Sequence, residues 1–298
     1  MANISLIKRR IQTAQNVSKT TRAMQMIATS KLKRAQDSAV ASKPYVEKLT
    51  FLTRNITDRI DPENISDYMK QVDINVRLLV VVSPDKGLCG GLITNLLKEL
   101  LRYDNSFNNV KYIVIGKKAE KTVAKLGKEI VGSFDFGTTL PIFENVYPIV
   151  KLINDQFLGK NVSGVDVLYT NFFSVFSQKP NLSSLLPIKL PDDQTSGKDV
   201  KDTLDKIKRN SPYTLFEPSP DELLPSLLSH YLEMAMFQYL LESYASEQGA
   251  RMISMKNATE NAYEIIDYLK LEYNKKRQEK ITNEILDIGG GAMALAYE

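Results

Sequence analysis

Very few residues in this sequence belong to the types that form disulfides, zinc sites or nucleophilic active sites. Its 298 residues include one cysteine, Cys89, and one histidine, His230. A single cysteine forms no intrachain disulfide, which fits a reducing compartment, and these two residues are too few for a zinc site. A catalytic pair of Cys89 and His230 has no supporting motif around either residue. We therefore expect neither a Cys–His catalytic pair nor a metal site.

Long apolar runs are also absent. No stretch reaches the roughly 20 apolar residues that a membrane-spanning helix needs, and the first ten residues lack the apolar segment of a signal peptide. The net charge of +4 is a mild basic bias. It suits an acidic protein partner and is too small to indicate nucleic-acid binding. The sequence therefore predicts a protein that is soluble or peripheral to a membrane and binds no nucleic acid.

Glycine and proline are scarce in two long stretches at opposite ends of the chain. Residues 3–59 contain no glycine and one proline, Pro44, and no proline follows Pro225. In both stretches, uncharged residues recur at alternating spacings of three and four, which is typical of a helix lying along another helix. Two such stripes of nearly equal length predict one long antiparallel coiled coil, with a bend at Pro44.

The two stripes are defined by their members. The first consists of Ile4, Ile7, Ile11, Ala14, Ser18, Thr21, Gln25, Ala28, Leu32, Ala35, Ala39, Ser42, Val46, Leu49, Thr53 and Ile56. The second consists of Leu224, Leu227, Tyr231, Met234, Gln238, Leu241, Ala245, Gln248, Met252, Met255, Thr259, Ala262, Ile266, Leu269 and Tyr273. Many members are small, so we expect the two helices to approach closely.

Between the stripes, predicted strands alternate with predicted helices. The strands lie at 77–83, 110–115, 129–134, 165–173 and, more weakly, 182–190; the helices lie at 92–103, 117–126 and 141–158, the last disturbed by Pro148. This alternation predicts an inserted Rossmann-like α/β domain around a largely parallel sheet. We divide the chain into an N-terminal coiled-coil helix (1–60), a connector (61–75), an α/β domain (76–212) and a C-terminal coiled-coil helix (213–298).

The end of the second helix has no partner in the chain. Its stripe stops at Tyr273, because the next steps fall on Lys276 and Lys280. Residues 274–298 therefore project as a basic helix that is either frayed or held by other subunits. The glycines at 289–291 predict that this helix ends near Ile288, and Gly249 is expected to weaken it by about 1 kcal/mol unless close packing requires a glycine.

The loop after the first predicted strand has a glycine-rich sequence. It contains Lys86, Gly87, Cys89, Gly90 and Gly91. A loop between a strand and a helix is a common place for phosphate binding, but these glycines match neither Gly-x-x-x-x-Gly-Lys-Ser/Thr nor Gly-x-Gly-x-x-Gly. We interpret the loop as a structural turn that positions Cys89 and the start of the next helix, with a nucleotide site as the alternative.

Three blocks of sequence resemble the γ subunit of the F-type ATP synthase, which is a central rotor shaft. They are residues 11–33, 85–91 and 246–285, in the order and spacing of that family. The resemblance implies that the C-terminal helix turns inside a ring of α and β subunits. The α/β domain would form a foot on the membrane ring of c subunits, beside ε. One copy per complex would couple proton flow to ATP synthesis on β, without a catalytic residue or cofactor of its own.

The resemblance also implies which residues touch β. Arg277 and Gln278 correspond to residues that hydrogen-bond a β loop, with Thr282 one turn further along, and Met24 corresponds to a methionine near the acidic β loop. A forked guanidinium such as that of Arg277 suits a carboxylate partner. Two alternatives remain open from the residues alone, a coiled-coil scaffold and a nucleotide-binding α/β protein with a helical tether.

The expected location also follows from the resemblance. It is peripheral to the cytoplasmic face of the bacterial inner membrane, or else to the matrix side of the mitochondrial inner membrane. No transit segment precedes the first matching block, which favours the bacterial location.

Overall fold

A computed structural model describes residues 2–57, 66–70, 72–107, 109–188, 217 and 219–296. Long helices begin and end this fold, with a five-stranded sheet between them. The elements are α1 (Ala2–Thr57), β1 (Arg77–Val82), α2 (Leu92–Ser106), β2 (Val110–Ile115), α3 (Lys117–Lys125), β3 (Ile130–Phe134), α4 (Val146–Leu158), β4 (Gly164–Ser174), β5 (Ser177–Leu186) and α5 (Pro220–Ala296). Short 3-10 turns lie at Asp67–Met69 and Phe143–Asn145.

The sheet has the strand order β3-β2-β1-β4-β5. The first four strands are parallel, as predicted, but β5 runs antiparallel to β4. It also begins at Ser177, five residues before the predicted strand. The sequence pattern marked only the far end of this strand, because Leu185 and Leu186 are buried there while most of β5 is polar and partly exposed.

The helix before β4 also begins later than predicted, at Val146. Pro148 does not disturb it, because the proline is the third residue of the helix. Amide groups of the first turn have no intrahelical acceptor, so a residue without an N–H costs nothing there.

β1 separates two hydrophobic cores. Leu78 and Val80 point into one core with α4 and α5, while Leu79 and Val81 point into the other with α2 and α3. All four of these side chains are fully buried. The continuous apolar run that predicted this strand is therefore the consequence of a sheet covered on both faces.

The chain divides into two units, and both α1 and α5 contribute to each. One unit contains residues 1–28 and 251–298, and the other contains residues 29–250. In the second unit, α5 packs on the sheet through Leu228, Leu232, Met236 and Leu240, which are buried in the first core. These residues, spaced four apart, form a second apolar face that the stripe did not include.

The first stripe describes the buried face of α1. Every described side chain of α1 that is buried belongs to it: Ile7, Ser18, Ala28, Leu32, Ala35, Leu49, Thr53 and Ile56. In the first unit Thr21 Oγ1 lies 2.7 Å from Thr259 Oγ1, and in the second Ser42 Oγ donates to Gln238 Oε1 at 3.3 Å. All four are stripe members. The two pairs have the same antiparallel register, since equal steps separate them along α1 and α5.

The glycines of α5 behave in two different ways. A Cβ at Gly249 would lie 3.2 Å from the Phe172 ring, which is tighter than an ordinary contact, so the ring would have to shift by a few tenths of an ångström to admit it. The prediction that the helix ends near Ile288 is wrong, because α5 continues to Ala296. A glycine ends a helix when it adopts a left-handed conformation, and Gly289 does not.

Glu242 carries a partly buried carboxyl group in α5. Its Oε1 accepts a hydrogen bond from Gln238 Nε2 at 3.1 Å, while Oε2 is buried without a hydrogen-bond partner. Burial raises the pKa of this carboxyl above its ordinary value. The folded chain therefore holds the proton more tightly than the unfolded chain does. The resulting stabilisation is complete at low pH and is lost as the pH rises through the raised pKa.

Replacing Glu242 with glutamine should therefore stabilise the chain more at pH 8 than at pH 5. We expect the melting temperature of the variant, relative to the unaltered chain, to rise by about 2–4 °C between these pH values. Thermal unfolding of the full chain at both pH values measures this. Glu260→Gln is the control, because that side chain is exposed. If the difference in melting temperature between Glu242→Gln and the unaltered chain were the same at both pH values, the raised pKa of Glu242 would be contradicted.

Candidate functional site

Met24 lies on α1 in the first unit, one turn beyond Thr21. Its side chain is half-buried, whereas Met26 and Ile27 are 59% and 57% exposed. A partner that approaches Met24 therefore also meets Ile27, which is three residues further along the helix, whereas Met26 lies on the opposite side. The resemblance singled out Met24 alone among these residues, because it assigns a role by position in the family pattern and not by exposure.

Arg277, Gln278 and Thr282 are all exposed on α5. Gln278 and Thr282 share one face of the helix because they are four residues apart, and Arg277 lies beside them. Neighbouring cations are paired along the helix, as Lys276 is with Glu279 at 2.8 Å. Within the described residues, no carboxylate lies within ion-pair distance of Arg277. Its guanidinium is therefore available to a carboxylate of another chain.

An exposed apolar face follows these polar residues. It consists of Ile281, Ile285, Leu286 and Ile288, whose exposures range from 47% to 73%. Sequence reasoning missed it, although the spacing of four and three in Ile281, Ile285 and Ile288 was visible. A contiguous apolar surface on a soluble protein usually marks an interface.

A second apolar surface lies between α1 and α5 within the first unit. It is a cleft of about 670 Å³ that is lined by Leu6, Val17, Ile265 and Tyr268, together with Arg9. These four apolar side chains are between 47% and 67% exposed. The first unit thus presents apolar side chains to the outside on both of its helices.

The loop between β1 and α2 is a tight turn. Cys89 is buried, and Leu88 and Gly90 on either side of it have φ values of +66° and +60°. Gly91 directly precedes α2, and its carbonyl accepts the Asn95 amide at 2.9 Å. Lys86 is exposed, while Gly87 is partly exposed.

The start of this loop is tied to α3. Asp85 Oδ1 accepts the Lys117 amide at 3.0 Å, and burial raises the pKa of the Asp85 carboxyl. Ser83 Oγ accepts the Ala119 amide at 3.0 Å. The Lys117 ammonium, 2.7 Å from Asp135, holds the pKa of that carboxyl down at about 2. The two amide bonds satisfy two of the free amides at the start of α3 and fix the start of the loop to that helix.

The carboxyl ends of the parallel strands are where an α/β fold would bind a nucleotide. Here Leu240, Ser243 and Tyr244 of α5 fill this crevice, and they leave a cavity of about 50 Å³. Sites for small molecules usually measure about 300–1,000 Å³. The crevice is therefore too small for a nucleotide. Within the described residues, no group of three or more His, Cys, Asp or Glu side chains is arranged to hold a metal ion.

Among the described residues, no helix is both long enough and apolar enough to cross a membrane.

Long helices around a filled α/β sheet, with exposed apolar surfaces on the helical unit, define a protein that works as part of an assembly. Comparison with known proteins gives the family. A profile of the family described as ATP synthase matches residues 3–295. An ATP synthase gamma chain of Dehalococcoides mccartyi is 36% identical over 298 residues, which are 99% of this chain and 100% of that protein. The gamma chain of Akkermansia muciniphila is 38% identical and covers 97% of each chain.

Solved structures show the same fold. The rotor of the Euglena gracilis mitochondrial ATP synthase matches with a TM-score of 0.64 and 17% identity, over 94% of this chain and 99% of that one. A chain of the central stalk and c-ring from Tetrahymena thermophila mitochondria matches with a TM-score of 0.58 and 22% identity, over 80% and 99%. The chain therefore belongs to the family of ATP synthase γ chains. The resemblance stated from the sequence is confirmed, and the function is that of a rotor subunit of the F-type ATP synthase.

Proposed function

We propose that one copy of this chain turns inside a ring of α and β subunits and contributes no catalytic residue itself. The exposed apolar face at Ile281, Ile285, Leu286 and Ile288 carries this proposal. Such a face on a helix end is costly in water and becomes stabilising when other subunits surround it. ATP chemistry would then belong to β, and this chain would act by turning.

Copy number separates this proposal from a self-associating scaffold. Native mass spectrometry of the purified assembly should find one copy of this chain among several copies of α and β. Two copies per complex would contradict the proposal.

Arg277, Gln278 and Thr282 are the proposed contacts to a β loop, with Met24 near an acidic β loop. The exposure of Arg277, Gln278 and Thr282 supports this assignment, as does the absence of an ion pair to Arg277 within the described residues. A guanidinium binds a carboxylate through two parallel hydrogen bonds, which also fixes its direction. Arg277 is therefore expected to contribute most to the contact.

Replacing Arg277 with alanine should lower ATP hydrolysis by the assembled complex about tenfold, because a hydrogen bond to a charged group contributes about 1.5–3 kcal/mol. The hydrolysis rate of Arg277→Lys should lie between those of Arg277→Ala and the unaltered complex. Lysine keeps the positive charge, but its ammonium lacks the planar fork of the guanidinium. Steady-state ATPase assays of complexes with equal subunit content measure this. Arg102→Ala is the control, because Arg102 is exposed on α2 and pairs with Glu99; its rate should stay within about twofold. An unchanged rate for Arg277→Ala would contradict the contact.

The α/β domain at 76–212 is proposed to form the foot on the membrane ring of c subunits, beside ε. The Tetrahymena match, whose description names both a central stalk and a c-ring, supports this arrangement. The chain would then be peripheral to the membrane, on the cytoplasmic face in a bacterium. In this setting the loop with Lys86, Gly87, Cys89, Gly90 and Gly91 serves as a structural turn of the foot.

A further inference from the structure

α5 contacts β4 through three small residues on one face. The Thr170 amide donates to Ser243 Oγ at 3.2 Å, and Ser246 Oγ donates to the Thr170 carbonyl at 3.0 Å. One further step of three along the helix, Gly249 allows the Phe172 ring to approach. Ser246 and Thr170 are almost completely buried. A helix is thus hydrogen-bonded directly to the backbone of a strand.

These serines occupy the place of a missing strand partner. β1 pairs with β4 only as far as Leu168, and the Ser83 amide beyond its end donates to Ile115 of β2 instead. The amide and the carbonyl of Thr170 therefore have no partner on β1, and both bond to α5 instead. A buried carbonyl without a donor is costly, so the hydroxyl of Ser246 provides what β1 does not.

The hydrogen bonds of Ser243 and Ser246 are directional, whereas the rest of the contact between α5 and the sheet is apolar. Leu228, Leu232, Met236 and Leu240 contribute stability through burial, which is not directional. An apolar surface therefore opposes separation more than it opposes sliding or rotation. Two hydrogen bonds to one residue, next to the close contact of the Phe172 ring with Gly249, fix both the height and the rotation of α5 on the sheet.

We propose that Ser243, Ser246 and Gly249 form a torsional clamp that passes load between α5 and the sheet of the second unit. The proposal rests on the rotor function of the family, because only a rotor carries torque along this helix. The three residues are positioning residues, and they contact neither nucleotide nor the transported ion. Their effect should increase with load and should be small when the rotor turns freely.

The test uses the whole complex in inverted membrane vesicles that carry Ser243→Ala together with Ser246→Ala. ATP hydrolysis with an uncoupler present reports rotation without load, and quenching of a pH-sensitive dye reports pumping. We expect unloaded hydrolysis within about twofold of the unaltered complex. Pumping per ATP hydrolysed should fall at least about fivefold, because one buried and one partly buried hydrogen bond are lost. An unchanged ratio of pumping to hydrolysis would overturn the proposal, and so would a parallel fall of both.

Two single variants serve as controls. Ser243→Thr retains a hydroxyl and should retain the ratio, and Ser226→Ala removes an exposed serine of the same helix and should leave it unchanged. If the double variant does not assemble, the ratio measured for Ser243→Ala alone decides in the same way. The subunit content of the vesicles, measured alongside, tests the rotor assignment separately from the clamp.

Discussion

Replacing Asp166 with alanine should lower the free energy of unfolding of this chain by about 3 kcal/mol. Asp166 lies on β4 and is 5% exposed. Its Oδ2 accepts hydrogen bonds from Arg77 Nε at 2.9 Å and from the Tyr103 hydroxyl at 2.5 Å, and Arg77 Nη2 lies 2.7 Å away. Burial raises the pKa of the Tyr103 hydroxyl, so this group remains a donor at neutral pH. Without the Asp166 carboxylate, the Arg77 guanidinium and the Tyr103 hydroxyl would lose their hydrogen-bond acceptor in a largely buried environment.

Denaturant unfolding of the full chain measures this loss. Asp67→Ala is the matched control, because the Asp67–Lys70 pair is exposed, and its loss should stay below about 0.5 kcal/mol. Replacing both partners, with Arg77→Met and Asp166→Leu, should cost less than Asp166→Ala alone, since no buried charge is left unpaired. A loss below about 1 kcal/mol for Asp166→Ala would show that water already reaches the pair.

The buried face of α1 could be predicted from the sequence because packing there requires one property. A residue between two close helices must be uncharged and, in many places, small, and charged neighbours make the stripe visible. Thr21 and Thr259 were placed on the two stripes for this reason, and the structure brings their hydroxyl groups together. The spacing, rather than the hydrophobicity of any one residue, carried this information.

The second face of α5 could not be predicted in the same way. Between Leu224 and Leu241 the helix has apolar residues on two sides. Following the row of residues that forms the stripe therefore leaves the second apolar row unnoticed. Tyr231 fits the stripe while Leu232 faces the sheet, and the sequence alone does not say which surface each meets. The polar start of β5 was missed for a related reason, because an edge strand with little buried area has no apolar run.

For the candidate site, the resemblance supplied the residues and the structure supplied their surroundings. Arg277 and Gln278 were identified by position in a known pattern. Their exposure, and the apolar face beyond them at Ile281 and Ile285, required the fold. The clamp at Ser243 and Ser246 carried no sequence signal, because a serine on a helix gives no indication that a strand backbone lies opposite.

Leu232→Ala should cost about 3 kcal/mol of unfolding free energy, as deletion of a fully buried leucine usually does. Leu232 is completely buried in the core that α5 shares with β1 and α4. The substitution therefore tests whether α5 is part of the core of the α/β domain as well as half of a coiled coil. Denaturant unfolding of the full chain gives the measurement.

Leu271→Ala is the matched control, since the same atoms are removed from the same helix at a position that is 72% exposed. Its cost should lie within about 0.5 kcal/mol of zero. If both variants lost the same small amount, Leu232 would have to face water, and α5 would have only the one face that its stripe describes. If Leu232→Ala alone is destabilised, α5 belongs to the core that covers the sheet as well as to the coiled coil.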